Sequence, residues 1–275
     1  MKQLRRTVFS LLVLFHALPL VRCKPRLIDI FNGNGEGRST NEPHRAPFAF
    51  DVRMYNALRD DDKKWILRDE DGNIVVPYII TGFYDNSAKN TIKEAMRRIE
   101  KNTCIRFKKR LNETDYLDFQ NVKYEGCYAD SVGRRPGKNI VTLEYNGGRK
   151  CLKTHVVQHE LFHVLGLWHE HMRSDRDKYI TVNYRNVDEG ESVHLDRRKQ
   201  FEKVSDRVAT TFGIPYNYKS LMHYQKTAFT KRGLISIQTK DKTYQDVIGT
   251  AKDAAPSDYR KICLMYKCRK CMGGM

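Results

Sequence analysis

The sequence has only one long apolar run, from Val8 to Val21, and it has no internal repeat. Without a second such run, a protein with several membrane-spanning helices is excluded, and without a repeat, a solenoid or propeller is excluded. Acidic residues are also scarce, with 33 Asp and Glu against 50 Lys and Arg and a formal net charge of +17. The basic residues are scattered rather than grouped with aromatic side chains, so no nucleic-acid partner is indicated. A solvated basic surface is the simplest interpretation, and weak attraction to an acidic matrix or membrane is the functional alternative.

The N-terminal run has the features of a secretory signal. Basic residues precede it, and residues 8–21 are too few to span a bilayer comfortably. Cleavage near Cys23 predicts a signal peptide over residues 1–23, with a membrane anchor as the alternative. Residues 24–55 lack periodicity and are rich in Gly, Asn, Pro and Arg, which predicts a pro-segment. We therefore expect a secreted, extracellular protein with no membrane span, and a monomer is favoured.

Secretion changes how the cysteines are interpreted. Without Cys23, an even set of six remains, which favours disulfides in an oxidising compartment but leaves the pairing open: Cys104, Cys127, Cys151, Cys263, Cys268 and Cys271. A zinc site at Cys268-x-x-Cys271 is the alternative, which is disfavoured because no second ligand pair accompanies it. Asn112-Glu113-Thr114 is a glycosylation sequon, which predicts a modified surface loop at Asn112.

The most informative segment reads H-E-x-x-H-x-x-G-x-x-H-E and begins at His159. On a helix, His159 and His163 project from one face, so both imidazoles can bind one ion. Gly166 can adopt the positive φ that ends a helix, which lets the chain turn back and present His169 as a third ligand. Three nitrogen ligands and one open position are typical of a catalytic Zn²⁺ ion, because structural zinc has four protein ligands.

Glu160 follows the first of these histidines and lies on the same side of the helix. A carboxylate in this place can accept a proton from a water molecule held by the metal. The alternative is a chance match in which the histidines are ordinary polar helix residues. Requiring Gly166, His169 and Glu170 as well makes such a match far rarer.

The surrounding periodicity predicts a mixed α+β domain. Ile74 to Ile80 is typical of a strand, with Pro77 placing it at a sheet edge or at a strand start. Apolar residues at helical spacing predict an amphipathic helix from Ser87 to Lys101. Further strands are predicted at residues 104–107, 116–119 and 139–145, and further helices from Thr154 as N-cap, through 191–204 and near 256–266.

Ser220-Leu221-Met222-His223-Tyr224 is a tight segment in the second half of the chain. Taken alone, Met222 would be an ordinary core residue. Downstream of a three-histidine helix, it indicates a Met-turn, which is a hydrophobic floor packed beneath the ligand imidazoles.

Together these motifs resemble the astacin family of metzincin zinc proteases, in which a glutamate follows the third histidine, as Glu170 does here. The resemblance extends over about residues 56–268, which we expect to be the catalytic domain, followed by a short tail over 269–275. Further matching segments are Cys104-Ile105-Arg106-Phe107, Gly126-Cys127-Tyr128, Arg173-Ser174-Asp175-Arg176-Asp177 and Tyr179-Ile180-Thr181-Val182-Asn183.

The resemblance implies an astacin-like zincin fold of the α+β class. An upper subdomain with a twisted sheet and two helices would face a largely irregular lower subdomain across an active-site cleft, and the two would meet at Gly166. The family also implies two disulfides and leaves two cysteines as an extra pair; these pairs are Cys104–Cys268, Cys127–Cys151 and Cys263–Cys271.

The resemblance also implies roles for single residues. The Tyr224 hydroxyl would bind zinc in the resting enzyme and swing away to stabilise the tetrahedral intermediate. Glu170 would anchor the N-terminus that processing creates near Asn56. At the position where family pro-segments carry an aspartate that caps the zinc, this sequence has Asn34, whose neutral amide is a weaker ligand.

These features predict a secreted zinc endopeptidase with one catalytic Zn²⁺ ion, with protein or peptide substrates and with Glu160 as the general base. A non-catalytic binding or toxin-like protein on the same zinc scaffold is the alternative. Because Glu160 and all three histidines are present, the enzyme is favoured.

Overall fold

A five-stranded, mainly parallel sheet forms the first half of the domain. The computed structural model describes residues 57–59, 61–145, 151–188 and 197–274. The sheet order is β2-β1-β3-β5-β4, in which only β4 runs antiparallel to its neighbour. Its strands are β1 (Ile74–Ile80), β2 (Ile105–Lys109), β3 (Tyr116–Gln120), β4 (Cys127–Ala129) and β5 (Lys138–Leu143).

Two helices pack against this sheet and against each other, and they are α1 (Asn86–Asn102) and α2 (Thr154–Val164). The side chain of Asp85 accepts a hydrogen bond from the backbone N–H of Ala88 (2.7 Å), which satisfies one of the free donors at the start of α1. The apolar stripe of α1 is buried as its periodicity predicts; it contains Ala88, Ile92, Ala95, Met96 and Ile99. The predicted helix over Ser87–Lys101 therefore differs from α1 by one residue at each end.

The second half of the domain has little regular structure. Its elements are a two-stranded antiparallel pair, β6 (Ile180–Val182) and β7 (Ile237–Thr239), and one longer helix, α3 (Pro256–Tyr266), with short 3-10 turns between them. Helix α3 agrees with the predicted helix near residues 256–266. A sheet with helices above irregular structure confirms the α+β fold class. Among the helices that the structure describes, none has the length and apolar content to cross a membrane.

Several local predictions are wrong. Strand β1 is internal, between β2 and β3, and not at an edge. The sheet tolerates Pro77 because the pairing of β1 with β3 starts one residue later, at Tyr78, so the missing N–H breaks no bond of that ladder. The N-cap of α2 is Lys153, and Thr154 is already helical.

Two further elements differ from the sequence prediction. The segment from Arg197 to Phe201 is a 3-10 helix rather than part of a longer α-helix over 191–204, while residues 191–196 of that prediction lie outside the described ranges. Strand β4 was not predicted, because three residues are too few to show a period.

The N-terminal predictions lie outside the described residues. They are the signal peptide, the pro-segment with Asn34 and the expected new N-terminus at Asn56.

Three disulfides cross-link the domain, and they are Cys104–Cys268, Cys127–Cys151 and Cys263–Cys271. The first joins residues 164 positions apart, from the start of β2 to the end of α3. In the chain-entropy model, a disulfide that closes a loop of this length adds on the order of 5 kcal/mol to the free energy of unfolding. Helix α3 is therefore held against the upper subdomain although it follows the lower one in sequence.

Candidate active site

Three histidine side chains converge at one point between the two halves of the domain. His159 and His163 project from α2, and His169 follows the turn after that helix. Their Nε2 atoms form a nearly equilateral triangle with edges of 3.1 Å (His159 to His163), 3.2 Å (His163 to His169) and 3.2 Å (His159 to His169). All three rings are buried. The geometry therefore brings together the three ligands that the spacing predicts.

Backbone carbonyl groups determine which nitrogen of two of these rings faces the centre. The Nδ1 of His159 lies 2.9 Å from the carbonyl oxygen of Leu221, and the Nδ1 of His163 lies 2.7 Å from that of Leu167. A carbonyl only accepts hydrogen bonds, so each Nδ1 carries the proton and each Nε2 presents a lone pair. Carbonyl partners of this kind are the usual means of orienting metal-binding histidines.

The donor set fits Zn²⁺. Tetrahedral coordination with Zn–N bonds of about 2.0–2.1 Å requires nitrogen atoms about 3.3–3.4 Å apart, which is close to the triangle observed here. Buried lone pairs that converge without a proton between them are unfavourable unless a cation binds them. Neutral imidazoles at this spacing are therefore suited to one divalent ion of the zinc type.

The turn that delivers His169 depends on Gly166. This glycine has φ of +105°, a conformation that a side chain disfavours, and its N–H donates to the carbonyl of His163 (2.8 Å). A Cβ atom here would lie 3.0 Å from Leu58 Cδ1 and 3.0 Å from Met265 Sδ. The backbone angle and the close packing both favour glycine at this position. Gly166 therefore ends α2 and also determines where His169 lies.

Glu160 is fully buried on α2 next to His159. Neighbouring helix positions are about 100° apart, so Glu160 follows His159 around the helix. Its role as the general base stays a prediction.

The Met-turn lies beneath the three histidines and is held from two sides. The Leu221 carbonyl accepts from His159, and the Met222 carbonyl accepts from the backbone N–H of Glu170 (2.7 Å). From the other side, Asp258 of α3 accepts from Ser220 Oγ (2.6 Å) and from the Leu221 N–H (2.9 Å). Met222 itself is buried in the main hydrophobic core. The turn thus fixes the orientation of His159 and the path of the chain after His169.

Tyr224 lies beside the third ligand. Its ring centroid is 4.2 Å from that of His169 and 4.1 Å from that of His171. Its hydroxyl is 3.5 Å from Gln200 Oε1, while Gln200 also accepts from His171 Nε2 through its backbone carbonyl (3.0 Å). A hydroxyl contact of this length is weak. Stacking on His171 therefore holds the ring more firmly than the contact with Gln200 does.

Glu170 belongs to a buried network of charges behind the histidines. Its carboxylate is ion-paired with Lys261 of α3 and with Arg173 (3.1 Å), and it accepts from the Asn217 N–H (3.0 Å). Burial alone would raise the pKa of Glu170, but the Lys261 ammonium and the Arg173 guanidinium outweigh it and hold the pKa below its ordinary value. Glu170 is therefore ionised in the folded protein.

Two residues of α3 that support the site, Asp258 and Lys261, were not predicted from the sequence. Asp258 and Lys261 are three residues apart, so they share one helix face, and that face is buried. Burial raises the pKa of Asp258 above its usual value, and the Lys261 ammonium opposes this. A lysine within the apolar series Tyr259, Ile262 and Met265 is the signal that could have indicated a buried ion pair, although nothing in the sequence names its partner.

The predicted glycosylation site lies on the surface. Asn112 is exposed in the loop between β2 and β3, away from the histidines. This exposure is compatible with the glycan that the sequon predicts.

Fold and site together define a domain of the metzincin class, in which two histidines on a helix and a third after the following turn converge next to a Met-turn. The family model that describes the astacin peptidases matches residues 59–267. This chain belongs to the astacin family.

Individual relatives agree with this assignment. Over 78% of this chain and 58% of the relative, the sequence is 52% identical to zinc metalloproteinase nas-5 of Caenorhabditis elegans. It is 34% identical to meprin A subunit beta of Homo sapiens over 73% of this chain and 27% of that protein. Among solved structures, high choriolytic enzyme 1, a hatching enzyme zinc-protease from Oryzias latipes, superposes with a TM-score of 0.68 at 32% identity, covering 78% of this chain and all of that one. The chain spans just over half the length of the first of the curated relatives that it matches.

Proposed function

We propose that this protein is a zinc-dependent endopeptidase that hydrolyses peptide bonds in protein substrates. The observation that carries the proposal is the triangle of Nε2 atoms, 3.1–3.2 Å on each edge, with two of its rings oriented by backbone carbonyls. Three protein ligands leave one coordination position for substrate or water, which a structural zinc site does not. Membership of a family of zinc proteases supports the same chemistry.

Each group near the histidines has a role in this proposal. Bound zinc supplies a Lewis acid that lowers the pKa of a water ligand to about 7 and polarises the scissile carbonyl. Glu160 accepts the proton of the attacking water and passes it to the leaving amine. Tyr224, whose ring lies beside His169, donates a hydrogen bond to the oxyanion that forms on the substrate.

The proposal extends to where the protein acts. Residues 1–23 would be removed as a signal peptide and residues 24–55 as a pro-segment, which leaves the domain over 56–268 and the tail over 269–275. The three disulfides support export, because such bonds persist in oxidising compartments. The exposed sequon at Asn112 supports it as well.

Replacement of Glu160 by Gln tests the proposal most directly. Because the amide keeps the shape but accepts no proton, we expect kcat for casein cleavage by the processed enzyme to fall about 10²- to 10⁴-fold. Bound zinc, measured by elemental analysis, should stay near one ion per chain. The matched control is Glu202→Gln, which removes an exposed carboxylate and should leave kcat unchanged.

A chelator should abolish casein cleavage by the unmodified enzyme, and added Zn²⁺ should restore it. If Glu160→Gln instead binds zinc and cleaves casein at the original rate, the proposed base is wrong. If that variant loses proteolysis but keeps the protein's biological effect, the binding alternative replaces the enzyme.

A further inference from the structure

A basic cavity of about 750 Å³ lies beside the Cys104–Cys268 disulfide. Three separate segments form it: the turn before β1, the start of β2 and the chain that leaves α3. None of these segments contributes a residue to the three-histidine centre. The cavity is therefore a second concave site, and its volume lies within the usual range for ligand sites.

Positive charge dominates the lining. Of the lining residues that the structure describes, one is acidic, Asp71, and five are basic: Arg68, Arg106, Lys267, Arg269 and Lys270. Within the described ranges, none of the five is ion-paired with a carboxylate; the nearby Asp69 pairs with Lys108 instead (3.4 Å). The cations of the lining thus outnumber its one carboxylate, and the cavity carries a net positive charge.

Neutral groups hold the two arginines in place. Arg106 Nη1 donates to the carbonyl oxygens of Glu100, Thr103 and Ile105, at 2.7–3.0 Å. Arg68 Nη1 donates to the Gly72 carbonyl (2.7 Å). Carbonyl partners orient a guanidinium group without cancelling its charge, so its remaining N–H groups keep their capacity for an anion.

Disulfides fix the segment that carries the other three cations. Cys268 is bonded to Cys104 and Cys271 to Cys263, so the stretch with Arg269 and Lys270 is cross-linked to the domain at both ends, and Lys267 adjoins Cys268. Met272 N–H also donates to the Asn102 carbonyl (3.0 Å). A backbone restrained in this way loses little entropy when its side chains bind a ligand.

We propose that this cavity binds the sulfate groups of an acidic polysaccharide and so acts as an exosite that holds the enzyme on an anionic matrix. Guanidinium and ammonium groups together match sulfate oxygens, and the neutral amide of Asn73 in the lining matches sugar hydroxyls. Among the described lining residues, none is aromatic or a large aliphatic. An acidic protein segment would ordinarily add apolar contacts, and a single-stranded nucleic acid would stack its bases on aromatic rings.

The proposal is tested on the processed full domain with a fluorescently labelled heparin octasaccharide, whose binding is followed by anisotropy at physiological salt. The cavity variant carries Lys267→Ser, Arg269→Ser and Lys270→Ser. The matched control loses the same charge on the lower subdomain through Arg232→Ser, Lys240→Ser and Lys242→Ser, all exposed residues. We expect the cavity variant to bind about tenfold more weakly or worse, with a shallower dependence on salt, and the control to bind as the unmodified protein does.

Both variants should cleave a short peptide at the original rate, which shows that they are folded and that the cavity is separate from the catalytic centre. Equal weakening in both variants would overturn the proposal in favour of non-specific attraction to a basic protein. Undiminished binding of a desulfated octasaccharide would also overturn it. Competition by polyglutamate at equal charge concentration would show that the cavity takes an acidic protein segment instead.

Discussion

Lys261→Met removes the charge that α3 places against Glu170. Methionine is close to lysine in length and shape, so the packing of the buried face of α3 is retained and the change isolates the ammonium group. In the unmodified protein, Lys261 and Arg173 together keep the Glu170 carboxylate ionised although it is completely buried. Without Lys261, one of these two cations is lost.

Breaking a buried pair by removing one partner costs about 3–5 kcal/mol when nothing else compensates the remaining charge. Here Arg173 and the Asn217 N–H still bind Glu170, so we expect a smaller loss than this, about 2–3 kcal/mol. The pKa of Glu170, which is lowered in the unmodified protein, should rise in the variant. A group with a lowered folded pKa stabilises above its unfolded pKa, so the loss should be full at neutral pH and shrink in acid.

The assay is guanidinium unfolding of the metal-free domain at neutral pH and near pH 4, so that release of zinc from protonated imidazoles does not add to the pH dependence. Arg260→Met is the control, because it removes a charge from the exposed face of the same helix and should change stability by less than about 0.5 kcal/mol. A double-mutant cycle with Glu170→Gln should give a coupling energy of about 2 kcal/mol. Because Glu170 adjoins His169, zinc affinity should also fall about tenfold.

Two results would refute this reasoning. Equal destabilisation by Lys261→Met and Arg260→Met would show that burial of the ion pair contributes nothing. A coupling energy near zero would show that Glu170 and Lys261 stabilise the domain independently.

Three further predictions concern the site itself. Gly166→Ala should lose about 2–4 kcal/mol of stability, from the positive φ and from contacts with Leu58 and Met265, and an unchanged melting temperature would contradict this. Burial lowers the pKa of His223 to about 4, so between pH 4 and about 6.5 the unfolded chain binds more protons. Stability should therefore fall by up to about 3 kcal/mol as pH drops through that window. His223→Gln should flatten this slope in pH-dependent unfolding, and an equally steep slope would exclude His223 as its source. Tyr224→Phe should lower kcat about 10²-fold with little change in KM; a changed KM alone would assign it to substrate binding.

The convergence of the three histidines could be predicted from the sequence because their arrangement is local. His159 and His163 are one helical turn apart, and Gly166 determines the turn that returns His169. Helix α1 was predicted within a residue at each end for the same reason, since its apolar stripe repeats at the helical period. Strand β4 was not predicted, because its three residues form a strand only by pairing with β5.

The sequence by itself determined the family, the triad of histidines and the candidate base, since each depends on residue types at short, fixed spacing. Only the tertiary structure decided that α3 buries Asp258 and Lys261 against the Met-turn and Glu170. It also decided that basic residues from three distant segments line one cavity. The physical reason is the same in both cases. A charged side chain is solvated by default, and it becomes a buried partner or part of a site only when chain packing brings distant segments together.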